Sequence, residues 1–196
     1  MSIPTICGRC TKGNNGRCSK FLSSGGSAGK GTIGYYTGAC DLFDGFTIEG
    51  VVEKPLHRFA DERGWLMEVL RSDDESYPQF GQMYVTVSYP TTVKGFHYHR
   101  IQHDFIISLP GMIKVALYDG REDSPTHGKI QEYYIGPDNP TLLGIPPGVY
   151  HGWKAYTDMA YVISCPTELY NRESPDEYRI DPHTPNIDYD WGRIDR

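Results

Sequence analysis

The chain has 196 residues, with 25 acidic and 19 basic side chains for a net charge of −6. That length suits one ordinary domain plus an appendage and can bury a substantial core, while the acidic balance argues against a nucleic-acid binder or a polybasic membrane-surface protein. No apolar run is long enough to span a bilayer, and Met1 to Leu22 lacks the apolar middle of a signal peptide, so a cytoplasmic protein is expected.

Taken in order, residues 1–45 read as a Cys/Gly-rich N-terminal extension. Of the five cysteines, Cys7, Cys10, Cys18 and Cys40 crowd this stretch, and Cys165 stands alone in an apolar run. A Cys-x-x-Cys pair reaches one ion, and two further thiolates would complete a zinc or iron–sulfur site. Free or redox-active thiols are the alternative. The stretch Ser23-Ser-Gly-Gly-Ser-Ala-Gly-Lys-Gly31 is linker-like. It lacks both the upstream glycine and the preceding strand of a phosphate loop.

From Phe46 the character changes to short β-branched and aromatic runs punctuated by Gly, Pro, Asp and Asn. Strands are predicted at Thr47-Ile48, Val51-Val52, Leu66–Leu70, Gln82–Ser88, Phe105–Leu109, Met112–Tyr118, Gln131–Ile135, Thr141–Ile145 and Met159–Ser164. Such spacing predicts an all-β sandwich or barrel over residues 46–196. A helical turn is expected only near Asp73. Asp61-Glu-Arg63-Gly64 reads as a charged turn, in which Arg63 can hold a phosphate through its planar fork or pair with Asp61 or Glu62.

The most informative stretch is Lys94-Gly-Phe-His97-Tyr-His99-Arg-Ile-Gln-His103-Asp104, followed by the apolar run Phe105–Leu109. Histidine moves protons near neutral pH and is the commonest metal ligand, so clustering beside a core strand marks a candidate reaction centre. Strand alternation places His97, His99 and Ile101 on one face and Phe96, Tyr98 and Arg100 on the other. Further on, Ile145-Pro-Pro-Gly148 forms a stiffened turn that delivers His151 to the start of another strand.

Asp61-Glu-Arg-Gly64 with Glu68, Val93-Lys-Gly-Phe-His97, Tyr118-Asp-Gly-Arg121 with Ser124–Gly128, Ile145–Gly148 with His151-Gly-Trp153, and Asp190-Trp191 together resemble the dTDP-4-dehydrorhamnose 3,5-epimerase family. The resemblance implies a cupin double-stranded β-helix, or jelly roll, that is homodimeric and acts without a cofactor on a nucleotide-linked 4-keto-6-deoxy sugar. It implies that His97 is the base and that His151 contacts the enolate oxygen. Arg63 and Glu68 match positions holding the nucleotide diphosphate, Arg63 reaching in from the partner subunit. Lys94 stands where the family has arginine, and Gln82 and Glu177 fall near binding positions. The family's acid, a tyrosine, falls on Ser164, and a family lysine falls on Asp104. Tyr161 is close to Ser164, but its odd offset points it to the other strand face.

His97-x-His99, Asp104 and Pro146-x-Gly148-x-x-His151 also resemble the two metal-binding motifs of the wider cupin superfamily. Three imidazoles and a carboxylate suit a divalent first-row ion. Three readings follow: a nucleotide-sugar epimerase or ketoisomerase, a metal-dependent cupin enzyme using His97, His99, Asp104 and His151, and a non-catalytic sugar-nucleotide-binding cupin.

Overall fold

The computed structural model describes residues 47–192. Cys7, Cys10, Cys18 and Cys40, with their expected zinc or iron–sulfur site, lie outside the described residues. Among the described residues twelve strands are formed: β1 (Val52–Pro55), β2 (Arg58–Asp61), β3 (Gly64–Met67), β4 (Tyr84–Ser88), β5 (Val93–Tyr98), β6 (Asp104–Ser108), β7 (Ile113–Asp119), β8 (Ile130–Ile135), β9 (Thr141–Ile145), β10 (Val149–Ala155), β11 (Ala160–Ser164) and β12 (Tyr178–Arg179). They build two five-stranded sheets, β1-β9-β6-β11-β4 and β12-β5-β10-β7-β8, with β2 and β3 paired as a separate hairpin. From β4 to β7 and again from β8 to β11, successive strands alternate between the two sheets, which is the jelly-roll winding expected. Among the described residues there is no helix, and so none long and apolar enough to cross a membrane.

Burial explains the strand patterns. β6 is buried at every position, because Ile106 faces the space between the sheets while Phe105 and Ile107 pack outward under Leu56, Tyr77 and Leu142. On the other sheet, Phe96 and Ala116 are covered by Ile187 and Trp191 of the C-terminal segment. Burying each such side chain contributes about 1.5–3 kcal/mol, so covering both outer faces fixes which strands are central. β11 lies beside the edge strand β4 and keeps a two-residue alternation, with Ala160, Val162 and Ser164 buried and Tyr161 and Ile163 half-buried.

Three local devices position the strands that carry the histidines. In the Pro146-Pro147-Gly148 turn, Gly148 has φ +79°, which favours glycine, and its N–H donates to the His99 carbonyl at 2.7 Å. Gly95 of β5 and Gly152 of β10 face one another so closely that a Cβ on either would lie 2.6–2.7 Å from the other's Cα. Buried Asp119 accepts hydrogen bonds from Arg121, Ser124 and Thr126, tying down the loop between β7 and β8.

Several boundaries differ from the sequence reading. β5 stops at Tyr98 and the chain bends at Arg100 and Ile101, so Ile101 is not on a strand with His97 and is largely exposed. Thr47-Ile48 forms no strand; Ile48 is nonetheless buried, its N–H held by the Gln131 side chain. Asp73 sits in turns and not in a helical turn. The supposed charged turn is the tip of a hairpin, because Phe59-Ala60 pairs with Trp65-Leu66, and β3 ends at Met67.

Candidate active site

A cavity of about 920 Å³ opens at one end of the sandwich. Strands β5 and β10 supply one wall. They are adjacent and in register at His97 and His151, so the two imidazoles point to the same side, with ring centroids 4.1 Å apart. The second sheet supplies the opposite wall through Tyr84 and Thr86 of β4, with Asp104 of β6 buried beneath. The loops before and around β12 add Tyr170, Asp176, Glu177 and Arg179.

At the floor, one carboxylate gathers several donors. Asp104 Oδ2 lies 3.0 Å from His151 Nε2 and 3.1 Å from His99 Nε2, and Oδ1 accepts from the Gln102 amide at 2.8 Å. The other nitrogen of each imidazole is fixed by backbone. His151 Nδ1 donates to the Val149 carbonyl at 3.0 Å, and His99 Nδ1 donates to the Asp176 carbonyl. One potential ligand atom from each of His97, His99, Asp104 and His151 lies within 4.8 Å of the others.

Electrostatics divides these groups. Burial, reinforced by His151, holds His97 well below the usual imidazole range, so it is a neutral ring at neutral pH. Burial also pushes His99 down, but hydrogen bonding and charge from Asp104 more than reverse this, leaving it raised. Asp104 is desolvated too, yet its bonds to His151 and His99 keep it far below the ordinary carboxylate range. Burial, with the nearby Asp104 charge, pushes the Tyr84 phenol up to about 12. Cys165 is half-buried and its thiol is raised by that burial, in line with a small packing residue and not a nucleophile.

Of the residues singled out from sequence, His97, His99, Asp104, His151, Lys94, Gln82 and Glu177 are brought together at this cavity. Lys94 Nζ donates to the Val87 carbonyl at 2.7 Å, Gln82 accepts the Tyr170 backbone N–H, and Glu177 pairs with Arg179. Arg63 and Glu68 are not there. Arg63 is at the exposed hairpin tip, bonded to Asp61, and Glu68 pairs with Arg71.

Sequence reasoning missed Tyr84, Gln102, Asp176 and Arg179. Asp176 is the most structural of them: its carboxylate accepts the backbone N–H groups of Arg100, Ile101 and Gln102 at 2.9–3.0 Å and so shapes the bend after β5. Arg179 is the cross-strand partner of His97. Neither carries a local signal, since each acts on residues far away in the chain.

The sequence matches the dTDP-4-dehydrorhamnose 3,5-epimerase family over residues 46–196. It is 41% identical over 145 residues to the spore coat polysaccharide biosynthesis protein SpsL of Bacillus subtilis, covering 74% of this chain and 96% of that one. A probable low-salt glycan biosynthesis epimerase from Haloferax volcanii is also 41% identical, over 147 residues, with 74% and 94% covered. Among solved structures, a dTDP sugar isomerase from Desulfovibrio desulfuricans superposes with a TM-score of 0.70 at 33% identity, covering 76% of this chain and 94% of that one.

Proposed function

Since the chain belongs to the dTDP-4-dehydrorhamnose 3,5-epimerase family, we propose that it inverts configuration at a carbon beside the ketone of a dTDP-linked 4-keto-6-deoxyhexose. The observation that carries this reading is the placement of His97, a neutral imidazole lining the cavity and backed by His151. A neutral ring can accept the proton from carbon, which acidifies because its electron pair moves onto the ketone oxygen. In this reading the Lys94 ammonium, on the cavity wall, and His151 would stabilise that enolate oxygen. Gln82 and Glu177 line the same cavity and would contact the sugar nucleotide.

In this reading the enzyme is a homodimer. The β2–β3 hairpin carries Arg63 outside its own cavity while Phe59, Trp65 and Leu66 remain more than half exposed beside it. Docking that hairpin against a second copy would cover the apolar rings and bring Arg63 and Glu68 towards the neighbour's nucleotide. No cofactor takes part in the proton exchange.

The test is solvent exchange. Incubated with a dTDP-4-keto-6-deoxy sugar in deuterium oxide, the wild type should place deuterium on carbon next to the ketone. His97→Asn should lower that rate by about 100-fold or more, the usual worth of a positioned base. Undiminished exchange in the variant would sink the assignment, and a complete lack of exchange by the wild type would favour a non-catalytic sugar-nucleotide-binding cupin.

A second reading is supported by the orientation of His99 and His151. With each Nδ1–H spent on a backbone carbonyl, both Nε2 atoms converge on one Asp104 oxygen, the arrangement by which proteins orient imidazoles towards a metal. His97, His99, Asp104 and His151 fit a divalent first-row ion, which would supply Lewis-acid polarisation of a bound oxygen. On this reading the full chain retains metal through gel filtration, and both His99→Ala and Asp104→Asn release it. Replacing Cys7 and Cys10 by serine separates any ion held by the extension. A chain that binds no zinc, iron or manganese on addition has no such centre.

A further inference from the structure

Resting on the epimerase reading, one step lacks an agent. Inverting a carbon requires that the proton leave from one side and return from the other, so the base and the acid must stand on opposite walls of the cavity. His97 belongs to the β5–β10 wall, and the donor must face it from the β4–β11–β6 wall. The position there where a phenol was expected is Ser164, whose hydroxyl belongs to a fully buried residue.

The register supplies the missing group. Ser164 of β11 pairs directly with Tyr84 of β4, so their side chains emerge on the same face. Tyr84 lines the cavity with Thr86, its neighbour two residues on, and Ser164 stands beside it across the strand pair. Other phenols are badly placed. Tyr161 lies one residue into the alternation at Val162 and so points away from the Ser164 face. Tyr98 is on the back of β5, stacked against Tyr178 and packed on Tyr150. Tyr170 also lines the cavity, but from a loop outside the β4–β11–β6 wall and at 61% exposure against 40% for Tyr84.

We propose that Tyr84 is the catalytic proton donor, delivering its phenolic hydrogen to the enolate carbon from the wall opposite His97. The carbon–hydrogen bond breaks with its proton going to His97 and its electron pair forming the enolate. As the ketone reforms, that pair takes the proton from the Tyr84 oxygen, leaving a tyrosinate and an imidazolium. Solvent at the cavity mouth then returns a proton to Tyr84 and removes one from His97, closing the cycle without an external reagent.

The experiment compares Tyr84→Phe and Tyr161→Phe in the full chain, using dTDP-4-keto-6-deoxyglucose in deuterium oxide. Inverted product and carbon-bound deuterium are measured separately by NMR, and dTDP affinity is measured by calorimetry. Tyr84→Phe should lose inverted product by about 100-fold while still exchanging deuterium, because His97 can return a deuteron to the side it came from. Tyr161→Phe, on the other face of β11, should invert at close to the wild-type rate. Tyr84 is not the donor if Tyr84→Phe still inverts normally, if it loses exchange together with inversion, or if it loses dTDP binding. Absence of any exchange by the wild type would instead remove the epimerase reading, and the role of Tyr84 with it.

Discussion

Asp119 illustrates how one residue sets stability through its charge state. Its carboxylate is fully buried; burial alone would raise its pKa, but the bonds from Arg121, Ser124 and Thr126 outweigh this and hold it well below the usual range. A carboxylate lowered in the folded state contributes stability that is fully present above its unfolded value of about 4 and is lost as pH falls towards the folded value. Asp119→Asn should therefore cost on the order of 2 kcal/mol at pH 7 and flatten the decline of stability below pH 4, as read by urea denaturation across pH. An unchanged acid limb would show that Asp119 does not carry it. At this scale the histidine cluster was legible because His97, His99 and Asp104 are neighbours in sequence. Tyr84 was not, since it stands far from Ser164 in the chain and only strand pairing brings them together.

The strands themselves were mostly visible from alternation and turn residues. Where the reading slipped, packing decided: Ile48 is buried without joining a sheet, and Phe59 pairs with Leu66 and Ala60 with Trp65 in a hairpin whose sequence looks like a charged turn. Between elements, the contact of β5 with β10 depends on Gly95 and Gly152. A Cβ at 152 would meet the Gly95 Cα at 2.6 Å, and backbone on both sides cannot simply rotate aside. Gly152→Ala should force the strands apart, lowering stability by about 1–3 kcal/mol and disturbing the His97–His151 contact enough to slow catalysis. Thermal melts and turnover test this together; a variant equal to the wild type in both would mean that the close approach is not needed.

For the whole molecule, the prediction concerns assembly. Sedimentation should give a dimer for the wild type, and Trp65→Glu with Leu66→Glu should shift it to monomer while leaving the cavity walls intact, because contiguous exposed apolar side chains mark association surfaces. Arg63→Ala should weaken dTDP binding without altering the dimer. A monomeric wild type that binds dTDP normally would remove this role for the hairpin. By itself, the amino-acid sequence determined the all-β class, most strand positions, the jelly-roll family through its ordered motifs, and the imidazole cluster, because these depend on local periodicity and on residues near one another. Only the tertiary structure decided that His151 lies against His97, that Asp104 joins His99 to His151, that Asp176 shapes the bend, and that Tyr84 faces the cavity. These are cross-strand and cross-sheet relations, set by register and by which faces the two sheets turn towards each other.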